Sequence, residues 1–154
     1  MNQITRKVIN EYITSTNRFV IFCNEMFTFR TTLPSEEVYK ILSEKGVIKE
    51  LIDGYEDLHG MSTPFLIQYI SKLSGIKLCK QHKADHSLGK FIIFVDVVEM
   101  IAKDDGITLD EARDRFYNSY IASCFADDEF GFYGDSPPYI YSLYRNELEK
   151  GITQ

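Results

Sequence analysis

The sequence predicts an all-α fold: two tandem, related helical units packed into one compact domain. Three observations carry this. Apolar residues recur at helical spacing along most of the 154 residues. Prolines, acids and hydroxyl residues stand where helices start. The same order of apolar run, helix cap and proline-started helix occurs twice.

The elements follow in order. Residues from Asn2 to about Ser15 read as a helix with Ile4, Val8, Ile9 and Tyr12 on one face. Phe19, Phe22, Cys23, Met26 and Phe27 repeat at i, i+3, i+4, i+7 and i+8. The β-branched and aromatic content of Phe19–Cys23 would also suit a strand, but the period continuing to Phe27 favours helix. Leu33-Pro34-Ser35-Glu36-Glu37 opens a short helix to about Glu44, with proline at its start and carboxylates near its positive end. The next uses Ile48, Leu51, Ile52 and Tyr55 as its stripe. Thr63 and Pro64 restart the chain as cap and first-turn proline, and Leu66, Tyr69, Ile70 and Leu73 follow. Residues 76–89 are polar and aperiodic and read as a linker. The predicted organisation is therefore residues 1–75, a linker at 76–89, and a second helical repeat at 90–154.

The repeat is direct. Phe19-Val-Ile-Phe-Cys23 matches Phe91-Ile-Ile-Phe-Val95 at an offset of 72. Beyond a loop two residues longer, the offset is 74: Val47 meets Ile121, Leu51 meets Phe125, and Pro64 meets Pro138. Leu33 with Val38 and Ile107 with Ala112 have the spacing of a hydrophobic staple, and Thr108 with Glu111 that of a capping box. A unit of about 55 residues is marginal alone, and two face to face would cover each other's apolar sides. Phe19, Phe22, Phe91 and Phe94 are thus expected in one shared core.

The first unit resembles a family of short bacterial domains of unknown function, often encoded beside proteins resembling ADP-ribosyltransferase toxins. The residues that carry the resemblance are Phe19-Val-Ile-Phe-Cys23, Ser35-Glu-Glu-Val-Tyr39, Gly46-Val-Ile48 and Tyr55-Glu-Asp-Leu-His59, within residues 17–74. The second unit, at about 90–148, departs from it, with Glu129-Phe-Gly-Phe-Tyr133 where the histidine would stand. The resemblance implies an antitoxin-like or accessory partner of such a toxin.

Composition narrows the function. The formal net charge is -6, split as -1 over residues 1–75 (8 basic, 9 acidic) and -5 over residues 76–154 (9 basic, 14 acidic). No basic cluster supplies a phosphate-binding face, so nucleic acid is not the expected partner. No apolar run is long enough for a bilayer, and no apolar leader opens the chain, so the expected setting is cytoplasmic. Cys23, Cys79 and Cys124 are odd in number and widely spaced, as reduced thiols would be.

Several clusters could carry chemistry. His59 closes a helix behind Tyr55; a polar contact site and a helix C-cap are both open readings. Cys79, His82 and His86 form C-x2-H-x3-H, half of a structural zinc pattern, so no metal is expected. Asp104-Asp105-Gly106 is a turn, and Asp127-Asp128-Glu129 lacks the spacing of a calcium loop. No nucleotide, hydrolase or metalloprotease motif occurs, and no cofactor is expected. Residues 130–144 hold aromatics among glycines and prolines; Ile140, Leu143 and Tyr144 fit a buried stripe, while Phe132, Tyr133 and Tyr141 fit it less well. Those three, with Asp127, Asp128 and Glu129, are the expected partner-binding face. The function read from the sequence is a non-catalytic protein-binding module. The alternative is a small enzyme or ligand-binding protein using a cleft between the repeats; a cleft with convergent polar groups would favour it, a flat aromatic patch the first.

Overall fold

A helix with apolar residues on every side must be enclosed by others, and Thr16–Phe29 (α1) is such a helix: Asn17 and every residue from Phe19 to Thr28 are buried. Ser15 caps it by accepting the Arg18 N–H at 3.2 Å. The computed structural model of the chain describes residues 13–80, 85–126 and 131–151. The helix expected from Asn2 lies outside the described residues up to position 12; residues 13 and 14 are not helical, and Ser15 caps the following helix.

Around α1 stand Ser35–Glu44 (α2), Val47–Asp53 (α3), the single turn Tyr55–Leu58 (α4) and Thr63–Ser74 (α5). Ser87–Asp105 (α6), Leu109–Tyr117 (α7), Tyr120–Cys124 (α8), a 3-10 turn at Phe132–Gly134 and Pro137–Lys150 (α9) complete the order. The described residues contain no strand. α1 and α6 pack along each other at the centre, α2, α3, α5 and α7 touch α1, and α7 and α9 cover α6.

The four phenylalanines expected in one core are there. Phe19, Phe22, Phe91 and Phe94 are buried in a single cluster, with Phe22 and Phe91 edge to face at 5.4 Å. Phe94 is ringed by Phe116 at 4.9 Å, Tyr117 at 5.5 Å and Phe125 at 4.9 Å. Such pairs add about 0.5–1.5 kcal/mol each beyond the area they bury.

Two boundaries differ from expectation. The cap of α5 is Ser62, whose hydroxyl accepts the Phe65 N–H at 3.2 Å, and Thr63 is already helical. Both hydroxyl residues suit a cap, and one position decides between them. The polar segment after Ser74 also ends early: α6 begins at Ser87, whose N–H is held by the Asp85 carboxylate at 3.0 Å. Gly106 ends α6 in the left-handed region, φ 64°, where a side chain would be strained. Thr108 caps α7 as the sequence implies, accepting the Glu111 N–H at 3.1 Å.

Candidate functional sites: a polar cleft and an exposed helix face

α1 carries polar side chains into the core. Glu25 is buried, and its carboxyl accepts from Ser35 Oγ at 2.6 Å, Tyr117 OH at 2.7 Å and Asn24 Nδ2 at 3.2 Å. Burial pushes the Glu25 carboxyl above its ordinary 4.5, and the Ser35 and Tyr117 hydrogen bonds and the Lys90 charge hold part of that back. The Tyr117 phenol is raised by burial and then by the Glu25 charge. Asn24 Nδ2 also donates to the Ser35 carbonyl at 3.2 Å, and its Oδ1 has no partner among the described residues.

Tyr117 stacks on Tyr39 at 4.2 Å, 8° between planes. The Tyr39 hydroxyl donates to Asp114 and accepts from Arg113 Nε at 3.0 Å. Buried Arg113 continues to Asn17 Oδ1 at 3.1 Å and Asp110 at 2.9 Å. Burial, first, raises Tyr39 to about 12. Charged groups leave water only when fully engaged, and this chain of contacts ties α1 and α2 to α7.

Beside Glu25 opens a cavity of about 250 Å³ between the halves of the chain. Glu25, Thr28, Phe29, Leu33 and Ser35 line it from one side, His86, Ser87 and Lys90 from the other. Glu25, Thr28, Ser35 and Ser87 are buried, so the inner wall is polar. Ser87 Oγ donates to Asp85 at 2.5 Å. Thr28 donates to the Asn24 carbonyl at 2.6 Å.

On the opposite character of surface, α5 shows apolar side chains to solvent. Phe65 is 45% exposed and Leu73 40%, with Met61, just before the helix, 40%. Half-buried Tyr69 lies between them, its ring stacked with Phe65 at 6.0 Å. Phe65, Tyr69 and Leu73 stand at four-residue intervals on the helix and form one stripe.

The residues singled out in the sequence fall as follows. Phe132 is half-buried, its ring 5.5 Å from Phe125 and packed on the core. Tyr141 is half-buried; its hydroxyl donates to Asp104 at 2.5 Å and accepts from Arg145 Nε at 2.7 Å. Arg145 also bonds Asp105 at 2.6 Å, and Arg115 reaches the same carboxylate at 3.5 Å. The acidic turn is therefore part of a cluster with two arginines and a tyrosine. Tyr133 belongs to the 3-10 turn, and its side chain lies outside what is described, as do Asp127, Asp128 and Glu129. His59 closes α4: Nδ1 is 2.7 Å from the Tyr55 carbonyl oxygen and its ring stacks on Tyr55 at 4.6 Å. Tyr55 in turn meets Phe19 edge on at 5.6 Å. Cys79 donates its N–H to the Arg30 carbonyl at 2.8 Å. His86 lines the cleft, and His82 lies outside the described residues. No three His, Cys, Asp or Glu gather as a metal site among the described residues. No helix among them is long and apolar enough to cross a membrane.

Sequence reasoning missed Glu25, Tyr39, Arg113 and the α5 stripe. One signal was present: Asn24-Glu25 interrupts the most apolar helix between Cys23 and Met26, where a carboxyl needs partners. Neither a protein-family model, nor a curated protein, nor a solved structure matches the chain.

Proposed function

We propose that this chain is a non-catalytic helical module that binds another protein through the outer stripe of α5. The observation that carries the reading is the exposure of Phe65 and Leu73, with half-buried Tyr69 between them, along one helix. Contiguous apolar surface of this kind marks interaction sites on soluble proteins. In the 131–141 segment, the rings of Phe132 and Tyr141 are engaged within the chain, whereas Phe65 and Leu73 on α5 are exposed.

The occupant is an amphipathic helix of a basic partner. α5 itself carries one charge, Lys72, while Glu56 and Asp57 are exposed just before the stripe, in a chain of net charge -6. Acidic flanks steer a basic partner, and the rings supply the buried area. An antitoxin-like role toward an ADP-ribosyltransferase-type toxin, implied by the resemblance of residues 17–74, fits a basic nucleotide-handling target. It makes the neighbouring gene's product the first partner to test.

The tandem organisation belongs to the same proposal. Ser62 and Ser136 each cap a helix carrying proline in its first turn, and they accept the N–H of Phe65 and of Tyr139, 74 positions apart in both cases. Tyr139, the counterpart of Phe65, is 49% exposed. In each half a long helix is followed by a short helix, a shorter one and a proline-started one. This supports one helical unit used twice, the first copy holding the apolar stripe.

The test is a titration of the neighbouring gene's product against the wild type and Phe65→Ala. An anchor ring lost from a packed interface costs about 2 kcal/mol, roughly thirtyfold in affinity. An unchanged affinity with an unchanged melting temperature overturns the α5 assignment. A wild type that dimerises through Phe65 instead assigns the face to a second copy of this chain.

A further inference from the structure

We propose that the cleft between the two halves binds a free amino acid, its ammonium held by Glu25 and its carboxylate by Lys90. This is independent of the α5 surface and rests on the cavity alone. The space of about 250 Å³ equals about eight waters at their liquid volume, the scale of a small metabolite.

The charges in it are arranged for a ligand bearing both signs. Glu25 and Lys90 both line the cavity and influence each other electrostatically. Yet Lys90 makes no ion pair within 4.0 Å among the described residues. Two residues of opposite charge that line one cavity outside ion-pair distance of each other leave room for a group of the opposite sign at each. A zwitterion offers each a group of the opposite sign and brings no net charge inward.

The hydrogen-bond inventory agrees. The Glu25 carboxyl accepts from three donors, Ser35, Tyr117 and Asn24. An ionised carboxylate offers about four lone-pair sites, so one further N–H can be taken. Ser35 and Tyr117 fix the carboxyl in place, so the ligand does not bear the cost of ordering it. Phe29, Leu33 and Pro34 give the remaining wall an apolar stretch, and the Thr32 hydroxyl stands at its exposed edge. The side chain of the amino acid would lie there. Glu36 adds a second carboxyl within electrostatic reach of Glu25 and Lys90.

The experiment screens the full chain against the standard free amino acids at millimolar concentration by thermal shift. Each is paired with its N-acetyl and methyl ester forms, and hits are titrated by calorimetry. At least one free amino acid should raise the melting temperature, and both blocked forms should bind about tenfold or more weakly. Lys90→Met, which removes no ion pair among the described residues, should weaken the free amino acid about tenfold and leave its methyl ester unchanged. Glu25→Gln, where it folds, should erase the preference over the N-acetyl form; the Lys90 variant decides the matter if it does not. The proposal is overturned if no standard amino acid shifts the transition, if blocked forms bind as well as free ones, or if Lys90→Met binds like the wild type.

Discussion

Replacing Tyr117 with phenylalanine isolates one buried hydrogen bond. The ring keeps its stack on Tyr39 at 4.2 Å and its edge contact with Phe94 at 5.5 Å, while the 2.7 Å bond to Glu25 is lost. A buried neutral hydrogen bond contributes about 0.5–1.5 kcal/mol, and one to an ionised group about 1.5–3 kcal/mol. Which value applies depends on the Glu25 proton. The folded carboxyl titrates above its ordinary 4.5 because of burial. Below that value the carboxyl is protonated in both folded and unfolded chains. As pH rises, the unfolded chain loses the proton first, so the folded state binds more protons and stability falls until the folded carboxyl has also ionised. The Tyr117 bond favours the ionised form, so its removal raises the carboxyl further and extends that fall to higher pH. The cost of Tyr117→Phe should therefore grow from about 1 kcal/mol where the carboxyl is protonated to about 2 kcal/mol or more where it has ionised. At about 2–4 °C per kcal/mol, the latter loss is about 4–8 °C. Urea unfolding followed by circular dichroism as a function of pH measures it. A cost that stays flat with pH, or below about 0.5 kcal/mol throughout, refutes the role given to this bond.

Other consequences can be checked on the same protein. Phe94→Ala empties a site walled by three aromatic rings and should cost about 3–5 kcal/mol in chemical denaturation, the largest loss among core phenylalanines tested alongside it. Tyr39, held to about 12 against an ordinary 10, keeps its proton longer when folded. Its contribution is complete below pH 10 and is lost as pH rises through about 12, a decline that Tyr39→Phe should reduce in alkaline unfolding curves. Arg145→Ala removes a partly exposed pair with Asp105 and should cost about 1 kcal/mol or less, read from the same curves.

The helices were legible wherever burial is one-sided or complete. The Phe19–Phe27 period marks α1 because a helix enclosed on all sides repeats apolar residues without a polar face. Boundaries were less legible, since Ser62 and Thr63 can both cap, and Ser87 enters α6 through bonds it donates to Asp85, which spacing does not reveal. The cleft was largely hidden. Glu25 announces itself as a carboxyl in an apolar helix, but its partners Ser35 and Tyr117 lie 10 and 92 positions away, and the latter distance is set by packing of α7 on α1. Tyr141 looked free because it fits no buried stripe; the acid that engages it, Asp104, is 37 positions earlier in a turn. The α5 stripe was hidden for the opposite reason. Tyr69 and Leu73 keep a helical core period, and only the packed structure shows that the core uses Leu66, Ile67 and Ile70, with Tyr69 half-buried against it and Leu73 exposed.

The most direct measurement of the proposed binding role is hydrogen exchange of the chain with and without the neighbouring gene's product, followed peptide by peptide. Partner-induced protection should centre on residues 61–74, and Phe65→Ala should abolish it at equal concentrations. Protection centred on residues 131–141 with α5 unchanged would contradict the account.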